Sequence, residues 1–224
     1  MNRLALFDCD GTLVDSGATI VGAIGETFVA HGLAVPSANL ARRVVGLSLH
    51  EAMASLAPGG DNSDHAAMAV TYRQTFTRRR SEGRVEEPLY DGIVALLDAF
   101  AADGWVVGVA TGKSDRGLRH CLESHGIADR FITLQTADRH PSKPHPAMGL
   151  AALAEAQAAP AASVMIGDTG FDMAMARAAG MGAIGVAWGY HDAAELIAEG
   201  AYGVAETPGD VMALVRRLTE AAHG

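Results

Sequence analysis

Cysteine, aromatic residues and lysine are all scarce in this sequence of 224 residues. Two cysteines, Cys9 and Cys121, are too few for the disulfide framework of a small secreted domain. We therefore expect a reducing, cytoplasmic location. Aromatic residues make up 5% of the chain, so packing must depend on close contacts of small and aliphatic side chains.

Long apolar runs and an excess of positive charge are also missing. No stretch approaches the roughly 20 apolar residues that cross a bilayer, and Asp8 and Asp10 interrupt the N-terminal segment where a secretory signal needs an apolar core. We expect no membrane partner. The formal net charge of -9 also argues against a nucleic-acid partner, because proteins that bind the phosphate backbone usually carry a basic surface.

Short apolar runs that alternate with helical patterns make up most of the sequence. There are five such runs, residues 4–7, 106–110, 131–134, 164–166 and 183–186, and the first four are followed by a polar residue or glycine, as buried parallel strands often are. Between the later runs, apolar residues recur at helical spacing. This alternation predicts an α/β fold with a mostly parallel sheet that helices cover on both faces.

Residues 16–88 break the alternation, because they contain helical patterns and no convincing strand. A helical block that directly follows the first strand predicts an inserted subdomain. The remaining residues, 1–15 and 89–224, then form the α/β core. Pro88 and Gly92 mark the return of the chain to that core.

Polar residues stand at or beyond the carboxyl ends of the predicted strands, where open α/β sheets bind their ligands. They are Asp8, Asp10, Thr111, Lys143, Asp168 and Asp172. Clustered carboxylates suit Mg²⁺, and zinc is disfavoured because no Cys or His pair accompanies them at ligand spacing. Beside a divalent ion a carboxylate can attack phosphorus, while a hydroxyl and an ammonium bind the phosphate oxygens.

These residue types predict a division of roles. Asp8 is the nucleophile, and Asp10, two residues further along a turning loop, is the general acid and then the general base. Thr111 and Lys143 complete the catalytic set by contacting phosphate. Backbone N–H groups near Cys9 are predicted to bind phosphate oxygens.

Four segments, in order, resemble the four motifs of the haloacid dehalogenase-like hydrolase superfamily. They are Asp8-x-Asp10-Gly11-Thr12, Thr111-Gly112, Lys143-Pro144-x-Pro146 and Gly167-Asp168-Thr169-x-x-Asp172. The resemblance implies a Rossmann-like core with an α-helical cap inserted after the first motif, and Mg²⁺ as cofactor. It also implies a metal site of Asp8, Asp10, Asp168 and Asp172, in which Asp10 contributes its backbone carbonyl, Asp168 its carboxylate, and Asp172 supports the metal shell.

Within the superfamily the sequence most resembles phosphatases of the phosphoglycolate phosphatase type. The resemblance rests on the Lys-Pro-x-Pro motif, on residues 42–47 and on Trp188-Gly189-Tyr190. It implies a small phosphorylated metabolite as substrate. Gly112 is predicted to bind phosphate beside Thr111, and Arg43 and Gly46, with Arg42, are predicted to form a specificity loop. An arginine there would pair with a substrate carboxylate.

Single residues decide which other reactions of this superfamily are compatible with the sequence. Haloacid dehalogenases lack the second aspartate that Asp10 supplies, and phosphonoacetaldehyde hydrolases need a cap lysine, whereas residues 16–88 contain none. Two other functions stay open: a phosphomutase of the β-phosphoglucomutase type and a phospho-accepting signalling module.

The protein is expected to be a monomer or homodimer. We predict that Lys113 lies on the surface and that the run Arg78-Arg79-Arg80 forms a solvated helix face.

Overall fold

A computed structural model describes residues 1–221 and contains a sheet of six parallel strands. The spatial order is β3-β2-β1-β4-β5-β6. The chain builds one half of the sheet outward from β1 and then returns to the other side of β1 with β4, which places the topological switch point between β1 and β4. The strands are β1 (Asn2–Phe7), β2 (Trp105–Thr111), β3 (Phe131–Thr136), β4 (Ala158–Gly167), β5 (Gly182–Val186) and β6 (Gly203–Ala205).

Four helices follow β1 and form a helical cap with its own hydrophobic cluster, which includes Phe28, Met53, Met68 and Tyr72. The helices are α1 (Gly17–Ala30), α2 (Ala38–Arg43), α3 (Leu49–Leu56) and α4 (Asn62–Ser81). The longest, α4, begins with a capping box between Asp61 and Asp64. Such a box satisfies two backbone N–H groups that have no partner within the helix.

The arginine run at the end of α4 is less solvated than its charge predicts. Arg78 is exposed, but the side chain of Arg79 is only 12% exposed, and its Nη1 lies 2.6 Å from a carboxylate oxygen of Glu26 on α1. Arg78 and Arg84 pair with the same carboxylate. The prediction of a solvated helix face was therefore wrong for Arg79, because the sequence does not show that α1 brings an acid against this turn. It was also wrong for Arg80, which pairs with the mostly buried Glu87.

Two linkers connect the cap to the sheet and run side by side. The Asp15 N–H donates to the Pro88 carbonyl at 2.8 Å, the Tyr90 N–H donates to the Leu13 carbonyl at 3.1 Å, and Val14 and Leu89 form an antiparallel bridge. These backbone bonds fix where the chain leaves and re-enters the core. The boundaries of the predicted units, residues 16–88 against 1–15 and 89–224, stay a prediction, and residues 222–224 lie outside the described part of the chain.

Six further helices cover the two faces of the sheet. They are α5 (Ile93–Ala102), α6 (Asp115–Ser124), α7 (Ala147–Ala156), α8 (Gly170–Ala178), α9 (Ala193–Ala198) and α10 (Pro208–Ala221). Because strand side chains alternate between faces, Phe7 of β1 packs with α5, α6 and α10, while Leu6 packs with α7, α8 and α9. Burying an apolar side chain of this size stabilises the fold by about 1.5–3 kcal/mol.

The predicted α/β fold with a Rossmann-like parallel sheet and an inserted helical cap is confirmed. Each of the five predicted strands lies within an observed strand. The short edge strand β6 was not predicted. Of the helices formed within residues 1–221, none has both the length and the apolar character that crossing a membrane requires.

Candidate active site

The loop after β1 is a tight turn that places Asp8 and Asp10 at the switch point. The N–H groups of Leu13 and Val14 converge on the Cys9 carbonyl, at 2.9 and 3.0 Å. Gly11 has a positive φ of 85° and lies against the Asp168 carboxylate, where a Cβ atom would overlap it. Glycine is required here by both backbone conformation and space.

The Asp8 carboxylate is fully buried and held on one side only. Its Oδ1 accepts a hydrogen bond from the Cys9 N–H at 2.6 Å and lies 3.0 Å from Nζ of Lys143. Its Oδ2 is buried without a hydrogen-bond partner. A buried polar atom of this kind is costly unless something else pairs with it, so this oxygen is available to contact a bound group.

Two more buried carboxylates accompany Asp8. One oxygen each of Asp8, Asp168 and Asp172 lies within 4.8 Å of the others. Asp168 follows β4, where its Oδ1 accepts from the Thr12 hydroxyl at 2.8 Å and its Oδ2 from the Tyr190 N–H at 3.0 Å. The parallel pairing of β1 with β4 thus brings together residues that are 160 positions apart in sequence.

Asp172 has both carboxylate oxygens engaged by protein groups. Its Oδ1 accepts from Nζ of Lys143 at 2.6 Å, and its Oδ2 accepts from the Thr169 hydroxyl at 2.7 Å and the Thr169 N–H at 3.1 Å. Thr169 and Asp172 form the capping box that begins α8. Asp172 therefore holds Lys143, whose side chain is fully buried, between itself and Asp8.

The negative charge of this cluster exceeds the positive charge. With all groups ionised, three carboxylates face one ammonium, which leaves two negative charges in a buried site. Burial above all, reinforced by the carboxylates of Asp172 and Asp10 and opposed by Lys143, raises the pKa of Asp8 to about 7. Burial and the charges of Asp8 and Asp172 raise the pKa of Asp168 well above its ordinary value. A divalent cation would match both the charge and the oxygen ligands.

Asp10 and Lys113 form a second charged group beside the first. Asp10 Oδ1 accepts from the Ser16 hydroxyl and lies 2.8 Å from Nζ of Lys113, which also donates to Glu87 at 2.5 Å. The Lys113 side chain is 9% exposed. The prediction that Lys113 lies on the surface was therefore wrong. Burial alone would lower the Lys113 pKa, but its acidic neighbours raise it well above the ordinary value.

The cap reaches the site through the segment around Gly46. A Cβ atom on Gly46 would lie 3.7 Å from Asp8 Oδ2, and one on Gly112 would lie 2.8 Å from the Gly46 carbonyl oxygen. Thr111, which ends β2, is buried, and its hydroxyl accepts from the Lys113 N–H at 3.2 Å. The structure thus places Gly46 beside the free oxygen of Asp8 and Gly112 against Gly46, with Thr111 next to Gly112 at the end of β2.

One of the two arginines predicted for the specificity loop is engaged in an ion pair. Nη2 of Arg43 pairs with both carboxylate oxygens of Glu195 on α9, at 2.9 and 3.0 Å. Arg42 is exposed. Binding of substrate by Arg43 stays a prediction, and it would require the ion pair with Glu195 to break. In the structure, this pair joins the cap to the core.

Four residues of the site were not singled out in the sequence as site residues: Ser16, Glu87, Lys113 and Ser142. The Ser142 hydroxyl accepts from the Ser48 N–H at 2.8 Å and so joins the Lys143 loop to the cap. One signal existed for Lys113, since it is one of only two lysines and follows Thr111 by two positions. Ser16 and Glu87 lie in the two linkers, and the sequence alone does not show which residues they contact.

Comparison with known proteins agrees with this geometry. A family model described as haloacid dehalogenase-like hydrolase matches residues 5–186. The chain is 32% identical to the "Probable phosphatase IndB" of Dickeya dadantii, over 97% of this chain and 95% of the relative. It is 33% identical to the tyrosine-protein kinase PtkA of Mycobacterium tuberculosis, over 84% of this chain and 63% of that protein.

Phosphatases of the predicted type are also among the relatives. The chain is 30% identical to a phosphoglycolate phosphatase of Agrobacterium fabrum, over 86% of this chain and 83% of the relative. A predicted phosphatase from Clostridium acetobutylicum has a crystal structure that superposes with a TM-score of 0.85 at 25% identity, covering 98% of this chain and 99% of that one. The chain belongs to the haloacid dehalogenase-like hydrolase family, and within it to the phosphoglycolate phosphatase-like phosphoric monoester hydrolases.

Proposed function

We propose that the protein is a Mg²⁺-dependent phosphatase that hydrolyses a phosphomonoester of a small metabolite through an aspartyl-phosphate on Asp8. The observation that carries the proposal is the Asp8 carboxylate, which Lys143 and the Cys9 N–H hold by Oδ1 while Oδ2 is buried and unpartnered. Within residues 1–221 it is the one buried carboxylate oxygen in that state. A fixed carboxylate with a free oxygen is suited to attack.

The residues present fit a magnesium ion. Asp8 and Asp168 would supply carboxylate oxygens, and Asp10 its backbone carbonyl, while Asp172 supports the site through Lys143, with which its Oδ1 forms an ion pair. When bound, Mg²⁺ supplies positive charge that lowers the repulsion between these carboxylates and a substrate phosphate. The excess of two negative charges supports this assignment.

The side chains then divide the reaction into two steps. Asp8 attacks phosphorus, and the bond to the leaving alcohol breaks as Asp10 gives that oxygen a proton. Asp10 next takes a proton from the water that attacks the aspartyl-phosphate, which releases phosphate and restores Asp8. Lys143 and Thr111 neutralise and bind the phosphate oxygens. Ser16 and Lys113 hold Asp10 by one oxygen, at the edge of the space that the leaving group enters.

Release of phosphate from p-nitrophenyl phosphate and from phosphoglycolate tests the proposal. We expect turnover with Mg²⁺ and its loss with a chelator, restored by adding Mg²⁺ but not by the same ionic strength of KCl. A hexose 1-phosphate in the same panel separates hydrolysis from a mutase. Isomerised sugar phosphate without inorganic phosphate would contradict the proposal.

Magnesium is expected to stabilise the folded protein. At a concentration of about 100 times Kd, a ligand that binds only the folded state adds about 2.7 kcal/mol, which for a chain of this size corresponds to roughly 5–10 °C in Tm. The shift is measured by circular dichroism with MgCl₂ against KCl of equal ionic strength. Asp168→Asn should lose the shift, and an equal shift in that variant would contradict the proposed site.

The metal-free protein is expected to lose stability as pH rises from about 4 to about 7. The pKa of Asp8 is raised from 3.8 to about 7, so in this window the folded state holds a proton that the unfolded state has released, and each rise in pH favours unfolding. Tm measured with a chelator should fall across the window, and less steeply in Asp8→Asn. Parallel curves for the two proteins would contradict the assignment to Asp8.

Lys113→Met is expected to lower kcat by about 10–100-fold, the effect of losing a hydrogen bond to a charged group. Lys113 holds Asp10 and Glu87 together, and methionine keeps the length of the side chain without the charge. Lys113→Arg should recover part of the activity. The exposed ion pair of Arg84 with Glu82 offers a control, since Arg84→Met should leave kcat within about twofold.

A further inference from the structure

A cavity of about 350 Å³ lies between the cap and the core and begins at Asp10. Its walls come from α1, the segment of residues 44–49, α3 and α4 on the cap side, and from residues 112–117 on the core side. We call this space the cap–core cavity. Because Asp10 borders it, the leaving group of a phosphomonoester bound at Asp8 would occupy it.

Most of the wall is apolar. The side chains include Ile20, Ile24, Leu47, Met53, Tyr72 and Phe76, and all of them belong to the hydrophobic cluster of the cap or pack against it. Sites that bind small molecules generally combine an apolar lining with a few placed polar groups. Here the large apolar side chains of the lining belong to the cap, whereas the polar ones come both from the core and from Arg73, Thr77 and Arg80 of α4.

The two cations of the lining that are not exposed, Lys113 and Arg80, are already paired with acids. Lys113 pairs with Asp10 and Glu87, and Arg80 pairs with Glu87 at 3.0 Å. The other two lining cations, Arg73 and Arg116, belong to exposed residues. Among the described residues that line the cavity, each cation that is not exposed is paired with an acid, and the Arg80 Nε is a buried donor without a hydrogen-bond partner. A substrate carboxylate placed there would be a buried charge without compensation, which is costly.

We propose that the physiological substrate carries an apolar or aromatic leaving group, larger than glycolate, that packs against the cap side of the cap–core cavity. This inference rests on the proposed phosphatase function and specifies its substrate class. Phosphate is recognised at Asp8, Lys143 and Thr111, and the cap selects the organic part of the ester by apolar contact. The exposed residues Arg73 and Arg116 remain available to bind a polar end of the substrate that reaches solvent.

The chain length of alkyl phosphates tests this inference directly. Burial of one methylene is worth about a fourfold gain in binding, and kcat/KM records that gain because the transition state makes the same contact. We expect kcat/KM for phosphate release to rise about fourfold per methylene from ethyl through butyl to hexyl phosphate. We also expect butyl phosphate to exceed phosphoglycolate.

A larger side chain placed in the cavity provides a second test of the inference. Ala52 lines the cavity on α3, and Ala52→Leu should lower kcat/KM for hexyl phosphate by about tenfold, the effect of overpacking, while ethyl phosphate is changed by less than about threefold. Ala66→Leu makes the same substitution at an exposed position of α4 and should leave the chain-length profile unchanged. Melting curves establish that each variant is folded. If Ala52→Leu is not folded, Phe76→Asn is used in its place.

The outcomes separate the two proposals. A rising profile that Ala52→Leu, or Phe76→Asn in its place, flattens supports an apolar substrate. A flat profile, or phosphoglycolate as the best ester, overturns the substrate class and leaves the phosphatase function standing. No release of phosphate from any ester, with Mg²⁺ present and the protein folded, overturns the phosphatase function and this inference with it.

Discussion

Asp8→Asn is expected to lower kcat for p-nitrophenyl phosphate by at least about 10⁴-fold, the scale on which enzymes lose activity with their nucleophile. The amide has nearly the shape of the carboxylate and can still accept from Lys143 and from the Cys9 N–H, at 3.0 and 2.6 Å in the native site. It lacks the charge and the nucleophilic oxygen that the reaction needs. The loss is thus chemical and not a failure to fold.

The melting temperature of Asp8→Asn shows whether the variant is folded. Asp8 is one of three buried carboxylates served by one ammonium, so replacing it with a neutral amide removes electrostatic repulsion. Tm of the metal-free variant at pH 8 should equal or exceed that of the parent protein. The exposed Asp129 is the matched control, and Asp129→Asn should keep kcat within about twofold. Retention of kcat within tenfold in Asp8→Asn would exclude Asp8 as the nucleophile.

The sequence predicted the centre of this site because a parallel sheet imposes its geometry. Asp8 and Asp168 each follow a buried strand, and in a parallel sheet the carboxyl ends of all strands lie on one edge. The pairing of β1 with β4 then brings the two carboxylates together without further information. Their roles in catalysis stay predictions until they are measured.

The residues that the sequence did not predict depend on contacts between the cap and the core or within the cap. Lys113 meets Glu87 from the returning linker, Arg79 meets Glu26 on a neighbouring cap helix, and Arg43 meets Glu195 on α9 of the core. None of these pairs has a characteristic spacing, since 26, 53 and 152 positions separate them. Such ion pairs follow from packing, which periodicity and motifs do not encode.

The two buried lysines serve different parts of the proposed reaction. Lys143 lies between Asp8 and Asp172, beside the carboxylate that we propose as the nucleophile. Lys113 lies between Asp10 and Glu87, on the side of the leaving group and of the cap linker. In a chain with only two lysines, each supplies the positive charge for one carboxylate of the first motif. Lys113 therefore joins the proposed general acid to the linker that returns from the cap.

Lys143→Met is expected to impair both folding and activity. Methionine fills a similar volume but leaves Asp8 and Asp172 without their shared ammonium, at 3.0 and 2.6 Å in the native site. Breaking a buried ion pair on one side costs about 3–5 kcal/mol, or roughly 6–20 °C in Tm for a chain of this size. Loss of a group that stabilises the transition-state charge lowers kcat by about 10²–10³-fold.

A control at a surface ion pair and a double variant test whether the effect of Lys143→Met comes from its buried ion pairs. Arg139 pairs with Asp115 at an exposed site, so Arg139→Met should cost no more than about 1 kcal/mol. Asp172→Asn combined with Lys143→Met removes an acid together with its cation, so the loss of stability should be smaller than the sum of the two single losses. That coupling is measured by chemical unfolding of all four proteins of the cycle, with kcat recorded below the lowest Tm. Additive losses, or a Tm for Lys143→Met within 2 °C of the parent protein's, would show that the buried ammonium does not hold the two carboxylates together.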